Sequence, residues 1–249
     1  MSAALHCAPS ALDTPGRRRR PLGVARMQVV NLPVQVGLPW LILGLAFAVN
    51  LVIFALVPDA PPGEPKVTGG ILSIYMFVVV AHLVTMTQVF PFALGLSVTR
   101  RDFFTGTSLF ILAQSAVQGL LLTLLLGLEQ ATGGWGQELH FFGVPFLVQQ
   151  NWVLQWVVYT VPFLFFSFVG ILAGTIYARF GQLGMWITSV GLVLLGGTAA
   201  ILLTWQRAWP AVGRFFVDTP TSVLLAGYPA VLAALAAGAA YLLLRRAAP

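Results

Sequence analysis

The sequence predicts an all-α, polytopic membrane protein of about six transmembrane helices preceded by an interfacial helix. Three observations predict it. Apolar stretches fill residues 36–58, 70–96, 104–127, 152–176, 183–205 and 221–244, and a helix of about 20 residues crosses a bilayer's hydrocarbon core. None of the six holds an Asp, Glu, Lys or Arg. Hydrophobic residues make up 58% of the 249 and charged residues 8%, where a soluble domain carries about 25% charged. That composition excludes a water-soluble globule and leaves no room for a separate soluble domain.

The elements follow in order. Residues 1–22 are rich in Ala, Pro, Ser and Arg and aperiodic, which predicts a disordered tail. Residues 23–249 then form one membrane domain. Residues 23–34 mix Val24, Met27 and Val30 with Arg26, Gln28 and Asn31 and end at Pro33, as expected of a short amphipathic helix lying in the interface. The run at 36–58 is longer than the apolar core of a signal peptide and lacks a small-residue cleavage site before Pro58, so it is expected to be retained as span one. Pro39 and Trp40 are expected to mark its first end, with Trp40 at headgroup level. Pro58 to Lys66 is a proline-rich turn. After span three, Gly133, Gly134, Trp135 and Gly136 precede an apolar piece, Phe141 to Leu147. That piece is too short to cross and is expected to be interfacial or re-entrant. Residues 206–220 carry Trp209-Pro210 and Phe215-Phe216 among Arg207, Arg214 and Asp218, and are expected to lie on the bilayer surface. The loops at 97–103 and 177–182 are short.

Basic residues partition sharply. Arg17, Arg18, Arg19, Arg20, Arg26, Arg100, Arg101, Arg179, Arg245 and Arg246 fall on one side of this plan, and Lys66, Arg207 and Arg214 on the other. Cytoplasmic loops carry the Lys/Arg excess, so both termini are expected in the cytoplasm, and the net charge of +6 reads as topology rather than nucleic-acid binding. Cys7 is the single cysteine, which excludes an intrachain disulfide and a cysteine metal cluster.

Little in the spans carries chemistry. His82 is titratable and has Thr85, Thr87 and Gln88 close by; Gln114, Ser115 and Gln118 lie on span three. A helix puts 114 and 118 on one face. Interhelical hydrogen bonding accounts for such residues; otherwise His82, Gln88, Gln114 and Gln118 line a path or a subunit seam. A Gly-xxx-Gly pair, Gly170 and Gly174, and the alanines of span six (Ala226, Ala230, Ala233, Ala234, Ala237) with Gly238 favour close helix packing, within a chain or between chains. Lys66, the sole lysine, sits in Gly63-Glu64-Pro65-Lys66-Val67, which is not a phosphate-binding loop. No Ser/His, paired-Asp or His-Glu-x-x-His set occurs in the spans. Hence no catalysis, cofactor or metal is expected of this chain.

One segment is more specific: Phe90-Pro91-Phe92-Ala93-Leu94-Gly95-Leu96-Ser97, then Val98-Thr99, then Arg100-Arg101-Asp102-Phe103-Phe104. It resembles the membrane subunits of ABC transporters of the exporter-like type-2 class, which often carry a Pro-x-x-x-Gly-x-Ser-Arg-Arg-Asp/Glu-Phe-like passage there. The resemblance covers about residues 23–246. It implies that this loop forms a coupling helix, with Arg100, Arg101, Asp102, Phe103 and Phe104 docking on a separate ATP-binding subunit. It also implies a homodimer or heterodimer with a second permease, set in the cell membrane and moving its substrate by export; the charge distribution leaves no nucleic-acid partner expected. Two other classes stay open: a non-transporting six-span protein, such as an assembly or immunity factor, and a secondary carrier, which the uncharged spans disfavour.

Overall fold

A computed structural model describes residues 23–24, 33–56 and 66–246. The tail 1–22, with Cys7 and Arg17–Arg20, most of the segment 23–34, and the turn from Pro58 to Glu64 lie outside the described residues. The described chain is all-α, with five long apolar helices. Helix α1 is Pro33–Leu56, α2 Leu72–Gly95, α3 Arg100–Ala131 and α4 Trp152–Trp205. The short α5 is Trp209–Asp218. A π-turn at Val223–Gly227 leads into α6, Tyr228–Arg246.

The 54 residues of α4 make two crossings. Gly181 breaks it with φ 65° and ψ −159°, a backbone state open to glycine. A Cβ on Gly184 would run into the Phe180 side chain and come within 3.5 Å of Ile176, so the helix doubles back there. The expected loop at 177–182 is therefore a single residue wide. The first arm, residues 152–180, packs parallel to α6: Arg179 donates to the Leu243 carbonyl at 3.4 Å, while Pro162 shares a cleft with Leu225 and Pro229. The second arm, residues 182–205, buries no residue in its own chain beyond Gly184.

The described basic residues separate to two ends. Arg100, Arg179 and Leu244, which precedes Arg245, line one hollow; this is the arginine end. Lys66 lies at the opposite end, where a parallel pair of two-residue strands, β1 (Lys66–Val67) and β2 (Leu139–His140), ties the start of α2 to the segment after α3. Amphipathic α5 buries nothing, as expected of a surface helix. Exposed Trp152, Trp205 and Trp209 form the aromatic belt of this loop end.

The core has two apolar halves. Met86, Phe90, Phe103, Ile111, Phe168 and Ile171 fill the arginine half, joined by Ala233, Ala236 and Ala240 of α6 and by Val24. Leu43, Tyr75, Leu122, Phe141, Tyr159 and Phe163 fill the loop half. Gly170 and Gly174 hold α4 against α2: a Cβ at Gly170 would strike the Val79 carbonyl and come within 3.0 Å of His82, and one at Gly174 would meet Met86 at 2.5 Å. The glycine pair thus serves packing within one chain.

One expectation about α1 is corrected. Gln35 donates to Thr85 Oγ1 at 2.8 Å, and its carbonyl accepts from Gln114 Nε2 at 2.9 Å. Thr85 lies ten residues before Gly95, the last residue of α2, which is about 15 Å along a helix and half of a core about 30 Å thick. Gln35 is therefore at mid-depth. Trp40, more than a turn farther on, packs beside the loop-half core and is not at the headgroup level of the arginine end. A polar residue at the edge of an apolar run reads as a boundary, but a glutamine whose hydrogen bonds go to neighbouring helices is tolerated in lipid.

Candidate functional site

Between the two apolar halves lies a buried polar layer. Gln35 of α1, His82 and Thr85 of α2, and Gln114, Ser115 and Gln118 of α3 are all buried. On α2 these residues fall between Val78 of the loop half and Met86 of the arginine half; on α3 they fall between Ile111 and Leu122. Two π-turns build the layer, Pro33–Gly37 and Thr85–Val89, and the Gln35–Thr85 bond joins them. Such turns inside α-helices are frequent at functional sites. Thr85 also donates to the Ala81 carbonyl at 3.1 Å, and His82 Nδ1 pairs with the Val78 carbonyl at 3.0 Å. His82 Nε2, Gln114 Oε1 and Gln118 Nε2 are buried and make no hydrogen bond among the described residues. Of the four residues expected to line a path or seam, His82, Gln114 and Gln118 share this layer. Gln88 does not: it is exposed on the other side of α2.

At the arginine end, α2 and α3 are joined by the turn 96–99. There is no separate helix in it, contrary to the expected coupling helix: α3 starts at Arg100. Thr99 caps it. Its hydroxyl accepts from the Asp102 amide at 3.1 Å and donates to Asp102 Oδ2 at 2.8 Å, a reciprocal cap of the capping-box kind. Ser97 takes φ 61° to close the turn. The five expected docking residues diverge. Arg101 is exposed, and Arg100 and Asp102 are half-buried. Phe104 leans on Tyr241 at 5.2 Å between ring centres. Phe103 is corrected: it is 1% exposed and packs on Phe90 at 5.1 Å, out of a partner's reach. The helical period turns residue 103 to the core when 101 faces out.

The loop end holds a residue that sequence reasoning passed over. Glu129, 2% exposed, is the acceptor around which the segment after α3 folds. Oε2 accepts from the amides of Phe141 (3.0 Å) and Phe142 (2.8 Å) and from Trp135 Nε1 (3.3 Å); Oε1 accepts from the Gly143 amide at 2.8 Å. His140 Nδ1 is 3.9 Å from Oε1. The chain reaches this nest through a run of positive φ: Gly133, Gly134, Trp135, Gly136 and Glu138. Gly134 is needed there, since its φ is 70° and a Cβ would meet the Leu139 amide at 2.6 Å. Phe141 then seats on Phe47 of α1, 5.2 Å between ring centres. So the apolar piece expected to be interfacial or re-entrant is a folded cap on the loop end. A hollow of about 700 Å³ beside it is lined by Glu129, Gln130, Glu138 and His140 together with Leu126, Pro145 and Val148. The available signal was an acid at a helix end, then a glycine cluster and an apolar piece.

A second, apolar cleft of about 470 Å³ lies between α2, α4 and α6, walled by Tyr75, Pro162, Phe165, Phe166 and Leu225. Pro162 brings no N–H to the Val158 carbonyl, and both residues line the cleft. Among the described residues no group of three or more His, Cys, Asp or Glu is placed to hold a metal ion. No family model, curated protein or solved structure matches this chain.

Proposed function

We propose that this chain is the membrane-spanning permease subunit of an ABC transporter, moving a substrate on ATP hydrolysed by a separate subunit. The observation that carries the reading is the turn 96–99. It is short, capped by Thr99 and Asp102, continuous with two long helices, and tipped by the exposed Arg101. A charged tip on such a turn passes a partner's movement into α2 and α3 without loss in a flexible loop. The resemblance of residues 90–104 to the type-2 exporter-like permeases supports the same reading.

Topology follows from charge. The arginine end faces the cytoplasm of a cell membrane, with both termini there and with the Glu129 cap outside. Coupling by intramembrane ionisable groups is disfavoured, since His82 is the sole titratable side chain of the polar layer. A second permease, identical or homologous, completes the path. The second arm of α4, which its own chain leaves uncovered, is where that copy fits.

The test is reconstitution. The purified chain alone is expected to hydrolyse no ATP. A neighbouring gene is expected to encode a P-loop ATPase, and with it the chain is expected to form a complex whose magnesium-dependent hydrolysis changes when the permease is present. Hydrolysis by the chain alone, or an ATPase that neither binds it nor responds to it, contradicts the proposal.

A further inference from the structure

We propose that the apolar cleft between α2, α4 and α6 binds a neutral lipid alcohol, an apolar body headed by a hydroxyl. This inference does not depend on the transporter reading. The cleft holds about 470 Å³, the size of a small-molecule site. Leu72 and Tyr75 of α2 form one wall, Phe165 and Phe166 of α4 another, and Leu225 of the π-turn before α6 a third. Val144, Phe146 and Leu147, from the cap held by Glu129, border its loop end. Pro162, also in the wall, lies ten residues into α4, about 15 Å along the helix. The cleft therefore runs from the cap toward mid-depth.

Two prolines give this apolar cleft its polar demand. Pro162 has no N–H for the Val158 carbonyl, and Pro229 has none for the Leu225 carbonyl, four positions earlier in each case. All four residues line the cleft, so both carbonyls stand on helix faces that border it. In lipid, a backbone carbonyl freed in this way needs a donor from something packed beside it. The hydroxyls in the wall are committed elsewhere. Tyr75 donates to the Tyr159 carbonyl at 3.3 Å, Tyr159 to the Phe142 carbonyl at 2.7 Å, and Thr68 to Asn50 Oδ1 at 2.8 Å. Each has a single O–H to give.

The wall thus favours a donor and rejects a charge. No Asp, Glu, Lys, Arg or His lines it, so an ionised head that entered would be left unpaired, which is costly. An alkyl chain alone covers the apolar wall but offers the two carbonyls nothing. Phosphatidylcholine, which carries no N–H or O–H, does no better. A hydroxyl on an apolar body meets both demands: the body covers the aromatic walls, and the O–H donates to a carbonyl that proline has freed.

The experiment uses the whole chain, purified and placed in phosphatidylcholine bilayer discs. The probe is hexadecanol carrying a photoreactive diazirine in mid-chain, and labelled residues are mapped by mass spectrometry. Labelling is expected to concentrate at Tyr75, Phe165, Phe166 and Leu225. Plain hexadecanol is expected to displace the probe at a concentration about threefold to tenfold lower than its methyl ether does, the range one net hydrogen bond supplies. Hexadecanesulfonate is expected to displace it least. Pro162→Ala with Pro229→Ala returns both N–H groups to the helices and is expected to remove the alcohol's advantage while the ether still competes. Leu225→Trp, which fills the cleft, is expected to abolish the labelling, and Leu194→Trp, on the exposed second arm of α4, to leave it. Labelling spread evenly over the lipid-facing helices of the wild-type protein overturns the site, whether or not the variants fold. Equal displacement by alcohol and ether, or by alcohol and sulfonate, overturns the ligand class. An advantage that survives the double proline substitution takes the hydroxyl away from these carbonyls and equally overturns the proposal.

Discussion

Gln35 donates through Nε2 to the hydroxyl of Thr85 at 2.8 Å, and each of the two residues sits on a π-helical turn. The bond fixes the depth of α1 against α2. With Gln114, which reaches the Gln35 carbonyl, it closes a polar layer between two apolar cores. An interhelical hydrogen bond in a membrane is worth about 0.6–2 kcal/mol. Gln35→Leu is expected to cost about 1 kcal/mol in a reversible unfolding titration in bicelles. Adding Thr85→Val is expected to cost less than the sum of the two single changes, because the hydroxyl no longer lacks its partner. Strict additivity of the two would contradict the pairing.

The Gly170 prediction concerns packing. An alanine there must push the Val79 carbonyl or His82, whereas at Gly191 a Cβ meets nothing within 4 Å. Overpacking costs about 1–3 kcal/mol. Gly170→Ala is expected to lower the unfolding midpoint, and Gly191→Ala to leave it or raise it slightly through helix propensity. Equal effects at the two sites would place the glycine pair outside the α2–α4 contact.

At the loop end, Glu129 receives three backbone amides and an indole N–H. Hydrogen bonds to a charged acceptor are worth about 1.5–3 kcal/mol each. Glu129→Ala is expected to speed amide hydrogen exchange at Phe141, Phe142 and Gly143 by at least about tenfold, while amides around Gly174 stay protected. Unchanged exchange at 141–143 would mean that the carboxylate does not hold the cap.

The two ends make a topology prediction. With Cys7→Ser as background, Lys66→Cys and Tyr177→Cys should label from opposite sides of the membrane with an impermeant thiol reagent. The account places Tyr177 on the cytoplasmic side, so its label should appear only after permeabilisation. Labelling of both from one side would break the six-crossing arrangement, including the reversal at Gly181.

Much of this architecture is legible in the sequence, because uncharged runs of 20 or more residues have few places to go besides a bilayer. What was not legible has local causes. Pro39 and Trp40 read as the end of span one because the partners that set the depth of Gln35, Thr85 and Gln114, lie 50 and 79 positions away from it. The reversal within α4 rests on one backbone conformation at Gly181, which no residue pattern announces. Glu129 was hidden because its partners are main-chain amides, which carry no residue identity. Phe103 neighbours Arg101 and Asp102 in sequence, but helical geometry sends it inward.

The central claim is that the turn at 96–99 meets an ATP-binding subunit. Asp102 is tied into the cap with Thr99, so reversing its charge would disturb the helix as well as any interface; Arg101 is exposed and can be altered alone. The most direct measurement places Arg101→Cys, in the Cys7→Ser background, in membranes holding the co-expressed P-loop ATPase, and applies a short thiol-to-amine cross-linker. The account predicts a cross-link to the ATPase from position 101 and none from Arg214→Cys at the opposite end. No cross-link from 101 while the ATPase co-purifies, or equal cross-linking from both positions, would contradict it.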